Sequence, residues 1–478
     1  MKSKRTKSTK KKSKRNKSKN LNFDSFLNEI KNFIVEFDNI FLVDEIDVNE
    51  KNMKIFSNKF FILKENENKI NYQNFIVFIL KLSGLEFSDE IIEKNFDENY
   101  ENFDYSNENL EKIIVNCKLR SKFIKNNIIS NALNLIVEEI YNLYDIIKEN
   151  EFNLLKKFII SVLKINQNNY RKIRIISSII LSKIFEFLFN DCANIRTLIS
   201  QKDEYLKTEQ KLQSQISKTA TKNSLILLKN KYSILSELIS LLKEKFILKK
   251  IADVCRDIRL IIAESLFTIS KKNFVFLFED NKITNYFPYF LNDTFNYVKL
   301  KYLQLIYYEI NELNLDENEI NNNNEEDEKK LKIIINILKN TREAILNICI
   351  KDERNLSKEG IKILEILSQQ KILELKTVQK LIPHLFNSVI EIRMIIAKIV
   401  FCYIFNNNLN SDSKIYSLNN SNIEFNNEKF TSIDYDNILK FIEFCFKLSD
   451  NDEKMIEILI DDFFELSKYL KNFKYFFL

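Results

Sequence analysis

Two glycines (Gly84, Gly360) and two prolines (Pro288, Pro383) are all that this chain of 478 residues contains. Tight turns between strands draw on glycine for positive φ and on proline for a preset φ, and α/β folds use glycine at many strand–helix junctions. A chain so poor in both cannot turn as often as a sheet protein must, so an all-α fold is expected. Hydrophobic residues make up 45% of it, which is ample for a large buried core. Length alone suggests two or three domains, although a helical repeat array can run as one continuous body of this size.

The apolar pattern is helical. Leu154, Leu155, Phe158, Ile159, Val162 and Leu163 recur at the spacing of one helix face. Four stretches then share a design: KIRIISSIILSKIF (172–185), DIRLIIAESLFTIS (257–270), YVKLKYLQLIYYEI (297–310) and EIRMIIAKIVFCYI (391–404). Each sets an apolar residue, then a basic one (Arg174, Arg259, Lys299, Arg393), before a long apolar run. NLSKEGIKILEILS (355–368) is a degenerate copy with Ser357 at the basic position. The interval from 259 to 299 is 40 residues and from 357 to 393 it is 36, near the roughly 40–47 of HEAT repeats. The expected fold class is therefore a HEAT-repeat-like α-solenoid, in which stacked helical hairpins share one core. The basic residue at each helix start is expected to bond to a neighbouring turn more often than to a ligand.

One segment departs from the repeat. Between 195 and 248, Leu198, Tyr205 and Leu212 fall seven apart; Leu225, Tyr232, Ile239 and Phe246 do so again, with Leu228, Leu235 and Leu242 as a second row. Two narrow apolar seams joined by a polar turn at SKTATKNS (217–224) predict a long antiparallel helical hairpin. It should protrude, because so narrow a stripe cannot be buried on several sides. The expected organisation is a disordered polybasic tail (1–20), an N-terminal helical region (21–194), the hairpin (195–248), HEAT repeats (249–310), an acidic Asn-rich loop (311–330) and C-terminal HEAT-like helices (331–478).

Charge is uneven along the chain. Residues 1–20 hold 11 of the 73 basic residues and no acid, which leaves 62 basic against 67 acidic residues and a body near −5. The tail lacks the apolar core of a secretory signal and suits nuclear import, nucleic acid, or both, with Lys10, Lys11 and Lys12 at its centre. A second concentration spans 243–301 and includes Lys249, Lys250, Arg256, Lys271, Lys272, Lys299 and Lys301. Stacked helices could align these along one surface for a DNA backbone, which needs only a basic track. They equally suit solvated helix faces in a chain that is 29% charged.

Enzyme chemistry finds no footing. His384 is the single histidine, and the glycines are 276 positions apart, too few and too distant for a phosphate-binding loop. The six cysteines are scattered without a CxxC pair, so neither a metal nor any other cofactor is expected, and they read as small core residues of a reducing compartment. The longest apolar runs, such as FIVFIL at 75–80, are too short to span a bilayer, and a soluble protein is expected.

HEAT repeats interrupted by a long hairpin resemble the stromalin (STAG) subunits of cohesin. The segment 247–310 is similar to the conserved domain of that family: a basic lead-in, the Asp257-Ile258-Arg259 helix start, Glu264, a Phe-rich turn and the Val298-Lys299-Leu300-Lys301 helix start. FIVFILKLSGLEFS (75–88) looks like the family's early helix with Ser-Gly. The resemblance runs over about 72–405, in a chain shorter than typical members, so part of the family's C-terminal solenoid is expected to be missing. The resemblance implies a nuclear, chromatin-associated, non-enzymatic scaffold. Its partners would be the cohesin kleisin and, through it, the SMC ring, double-stranded DNA without sequence specificity, and cohesin loader, release or protection factors, with no membrane. It would support sister-chromatid cohesion and chromosome segregation. The family's pocket for short aromatic motifs maps onto Ile269, where members carry tryptophan, and Lys299, where they carry arginine. Isoleucine offers no aromatic platform and lysine no planar fork. A HEAT-repeat nuclear transport receptor or other adaptor is the competing reading.

Overall fold

The computed structural model describes residues 61–64, 67–70, 72–86, 149–208, 215–279, 281–312, 325–351, 353–369, 375–381, 384–385 and 389–408, together with 114, 118–119, 133–134, 137–138, 141, 373, 454, 457 and 461. The tail at 1–20, with Lys10, Lys11 and Lys12, lies outside the described residues, as does most of 405–478. Strands among the described residues form only two short antiparallel ladders. β1 (Phe61–Lys64) pairs with β2 (Glu67–Ile70), and β3 (Leu85–Glu86) with β4 (Lys118–Leu119). Everything else regular is helical, as the scarcity of turn residues requires.

Helix α1 (Tyr72–Leu82) buries Val77 to Leu80 and ends at Gly84. There φ is 85°, and the Gly84 amide donates to the Lys81 carbonyl at 2.9 Å. A left-handed residue after a helix costs glycine little, since it has no Cβ to clash.

The chain divides into two units, the first ending at Asn273 and the second starting at Phe274. The first contains α2 (Glu149–Ile165), α3 (Arg171–Thr208), α4 (Gln215–Leu242) and most of α5 (Arg256–Phe278), which is interrupted at Asn273 (φ −146°, ψ 52°). The repeat helix expected at 172–185 and the first helix of the hairpin are one rod of 38 residues, about 57 Å long. Its first half is wrapped in core, with Ile173, Ile180, Leu181, Phe185 and Leu188 all fully buried. Beyond Ile195 the burial narrows to one side.

Two details of the hairpin differ from expectation. The polar stretch 217–224 is not the turn, because α4 already begins at Gln215. Without glycine or proline, and with Ala220 and two lysines, nothing there stops a helix. The row Leu198–Tyr205 does not face α4 either: these side chains are 44% and 42% exposed. A straight helix drifts about 20° per heptad, and the buried or half-buried stripe at this level is Ile195, Ile199, Lys202 and Leu206. The helices are joined there by Lys202 Nζ donating to Ser224 Oγ (2.8 Å) and by the Lys229–Asp203 ion pair (3.3 Å). Further along, α4 buries Leu235, Leu238 and Leu242, then passes into a π turn (Lys243–Ile247) that turns both Phe246 and Ile247 inward.

The second unit holds α6 (Asn281–Thr284), α7 (Phe287–Leu291), α8 (Asn296–Glu312), α9 (Glu325–Lys351), α10 (Arg354–Gln369), α11 (Leu375–Leu381) and α12 (Ile390–Asn408). The expected loop at 311–330 is shorter than the composition suggests: α8 runs to Glu312 and α9 begins at Glu325. The sequence from Glu325 onward is therefore part of α9 and not of a loop. Lys330 of α9 then pairs with the buried Glu309 of α8 at 3.0 Å. Helices α9 and α10 meet at Gly360, where a Cβ would come within 2.8 Å of Cys349 Sγ. Ser368 Oγ of α10 donates to the Ile399 carbonyl of α12 at 3.3 Å.

Candidate nucleic-acid and partner interface

Three repeat helices begin in the same way. An Asn or Asp side chain accepts the amide two residues on: Asn168 from Tyr170 (2.8 Å), Asp253 from Cys255 (2.8 Å) and Asp293 from Phe295 (2.7 Å). Such Asx turns redirect the chain without glycine, and these three corners are made in that way. The ladder residue follows six positions after each, at Arg174, Arg259 and Lys299. Each of its amides bonds back to the carbonyl of the residue that closed the Asx turn, at 3.2, 3.2 and 3.4 Å.

The middle turn is the hub of a polar junction in the first unit. Only 6% of the Asp253 side chain is exposed. Its carboxylate receives Lys250 Nζ at 2.9 Å and faces the Arg174 guanidinium at 3.8 Å. Burial would raise this carboxyl, but the Cys255 amide and the Lys250 and Arg174 cations together outweigh burial and hold it below its ordinary value. Arg259 donates to the carbonyls of Asp253 (2.7 Å) and Val254 (3.4 Å). Lys250 also donates to the Asn166 carbonyl at 3.4 Å, and the Asn166 amide group reaches Ser177 Oγ and Ser178 Oγ. Arg171 closes the outer edge on Asp257, and that bond raises the Arg171 pKa. The start of α3, the end of the α4 rod and the start of α5 are thus tied at one point.

This arrangement sorts the basic residues expected on a DNA track. Lys250 is a bracing residue, 14% exposed at its side chain and engaged with Asp253. Lys249, Arg256, Lys271 and Lys272 are exposed; Lys271 lies over the Phe267 ring at 4.3 Å. Lys249 and Arg256 flank the junction. Lys271 and Lys272 sit at the far end of the helical run that Arg256 begins, about 22 Å away at 1.5 Å per residue. Lys299 and Lys301 belong to the second unit and are half-buried. Ile269, expected at a partner pocket, is 1% exposed. Its side chain faces the core.

Sequence reasoning passed over Asn166, Asn168 and Asp253. The available signal was the Asn or Asp standing six residues before each basic ladder position. Among the described residues no group of three His, Cys, Asp or Glu could hold a metal, and no helix is long and apolar enough to cross a membrane. Cys192 is buried, and burial pushes its thiol up to about 12.

No family model matches the chain, and no curated protein sequence matches it either. Among solved structures it is similar to cohesin subunit Scc3 from Z. rouxii, residues 88–1035, with a TM-score of 0.60 and 15% sequence identity. That likeness covers 90% of this chain and 49% of the other, so the chain spans about half the length of the structure it matches. A designed armadillo repeat protein is also matched, at TM-score 0.28 and 9% identity over 57% of this chain and 98% of that one, too low to carry an argument. The fold is an all-α, HEAT-like repeat solenoid of the kind seen in Scc3.

Proposed function

We propose that this protein is a non-enzymatic accessory scaffold of the cohesin complex, acting on chromatin in the nucleus. It would bind the kleisin subunit, and DNA without sequence preference, in support of sister-chromatid cohesion. The observation that carries this reading is the Scc3-like fold over 90% of the chain at TM-score 0.60. Likeness to a repeat scaffold also fits a protein that works by presenting surface.

DNA would be held by exposed cations in the first unit, Lys249, Arg256, Lys271 and Lys272, with Lys299 and Lys301 of the second unit and the polybasic tail adding to the attraction. Such binding rests on counterion release, so its affinity falls steeply as salt rises. The kleisin would dock as an extended or helical peptide along a repeat surface. The loader and the release or protection factors would follow through the same assembly.

Two measurements test this. Full-length protein carrying K249E, R256E, K271E and K272E should bind plain duplex DNA more weakly than the parent. Its log affinity should also depend less on log salt, by roughly 0.9 for each phosphate that is no longer neutralised. Lys250 is left intact because it braces Asp253. An unchanged slope would show the DNA surface to be elsewhere. Tagged protein recovered from nuclei should bring kleisin and SMC subunits with it. Recovery of none, or binding of a nuclear-localisation peptide instead, would replace this reading with that of a transport receptor.

A further inference from the structure

The outer face of α4 differs from the rest of the chain. Residues 215–236 contain Lys218, Lys222, Lys229 and Lys231 and no acidic residue, whereas the chain beyond residue 20 is slightly acidic. In the middle of this stretch two adjacent bulky side chains stand in solvent, Ile226 at 57% and Leu227 at 53% exposure. One helical turn before Ile226 lies Lys222, and one turn after Leu227 lies Lys231, so each apolar side chain has a lysine beside it along the helix surface.

The hairpin does not use this pair. The inner side of α4 is supplied by Leu225, Leu235, Leu238 and Leu242, and by Ser224 and Lys229 bonded across to Lys202 and Asp203. Isolated exposed apolar residues are ordinary, but an adjacent Ile–Leu pair inside an acid-free basic stretch has the makings of a contact surface. Its chemistry narrows the occupant. A second copy of the same helix would set lysine against lysine. A nucleic-acid backbone could neutralise the lysines, but it would leave Ile226 and Leu227 against phosphate and sugar. A polypeptide with bulky apolar residues flanked by Asp or Glu satisfies both features at once. We infer that the outer face of α4 docks a short acidic segment of a partner protein, its apolar anchors covering Ile226 and Leu227 and its carboxylates meeting Lys222 and Lys231. This site is separate from the DNA surface argued above and does not depend on it.

The test uses the full chain as bait for a randomised peptide display library, with counter-selection on I226D/L227D. Peptides enriched only on the parent should combine Asp or Glu with Leu, Ile or Phe. Their affinity should fall by at least about tenfold on I226D/L227D, and K222E/K231E should weaken them as well, more strongly at low salt. The substituted side chains are solvent-exposed or half-buried, so helicity and melting temperature should match the parent. If I226D/L227D does not fold, K222E/K231E alone decides the matter. Enriched peptides that are neutral or basic, or that bind the variants equally well, overturn the inference. So does an absence of selective peptides, and so do phosphatidylserine vesicles or duplex DNA as the only probes whose binding the substitutions abolish.

Discussion

The turn at 253–259 and the turn at 293–299 share one backbone plan and are secured by different chemistry. Both open with an Asp that accepts an amide two residues on, and both close on a basic residue six positions later. At the first, Asp253 is locked by Lys250 and Arg174, and Arg259 spans two carbonyls. At the second, the weight is carried by rings: Phe290 stacks on Tyr302 at 3.6 Å and 5°, Phe287 meets Tyr302 edge-on at 5.6 Å, and Phe278 abuts Phe287 at 5.5 Å. A repeat therefore constrains the corner of the backbone and leaves its anchoring open. Charge anchors it where three helices converge; aromatic area anchors it where a short helix packs on a long one.

Breaking the aromatic anchor should have the largest effect. Phe290→Ala removes a buried ring from the stack, and such deletions cost about 3–5 kcal/mol, so hydrogen exchange should accelerate through 287–306. Tyr302→Phe should do the reverse. The Tyr302 hydroxyl is buried and finds no hydrogen-bond partner among the described residues, and burial followed by the Asp293 charge raises its pKa well above the ordinary value. Removing an unsatisfied hydroxyl while keeping the ring should leave the melting temperature unchanged or higher. A clear fall would mean that the hydroxyl has a partner the ring geometry does not reveal.

The charged anchor comes next. Asp253→Ala deletes the Asx acceptor and leaves the largely buried Lys250 and Arg174 without their anion, a loss of about 3 kcal/mol. Asp293→Ala at the matching position removes the turn acceptor and should cost about 1 kcal/mol. The comparison fails if the two substitutions cost the same, measured as urea midpoints on the full chain with exchange rates at each turn. Asp253→Asn should fall between them, since it keeps an acceptor for the Cys255 amide and loses only the charge.

Much of this was legible in the residues. Four glycines and prolines in total forced helices, and the apolar–basic–apolar motif located the starts of four helices, at Arg174, Arg259, Lys299 and Arg393. The continuity of α3 was not legible. A helix that leaves a core keeps its hydrogen bonds while its apolar pattern narrows, so 171–194 and 195–208 look like separate elements. The heptad spacing of Leu198 and Tyr205 pointed to the wrong face, because a count of seven does not record the drift of a straight helix. Ile269 was placed by resemblance, and burial is decided by which way the helix is turned. Asp253 looked like any acid in a charged chain; only the fold brings Arg174 to it across 79 positions of sequence.

The smallest effect, and the sharpest on the charged anchor, is its pH dependence. Asp253 and Glu186 lie in the same unit and are shifted in opposite directions. Burial holds the Glu186 carboxyl above its ordinary value despite Lys183 at 2.9 Å, whereas Asp253 is held below its own. A carboxyl raised in the folded state binds its proton more tightly there than in the unfolded chain, so Glu186 should favour folding increasingly as pH falls from neutrality through its folded pKa. A depressed carboxyl works the other way: the contribution of Asp253 is complete above the unfolded value near 3.9 and is lost as pH falls through its lower folded pKa. The first unit should accordingly gain slightly on mild acidification before losing stability in strong acid. Glu186→Gln should abolish the gain and leave the loss, and Asp253→Asn should soften the loss and leave the gain. Melting curves of the full chain stepped across pH 7 to 3, with exchange read at 171–186 and 250–259, separate the two. If Glu186→Gln reduced the acid loss while Asp253→Asn left it untouched, the Lys250–Asp253–Arg174 junction would not be what secures the first turn.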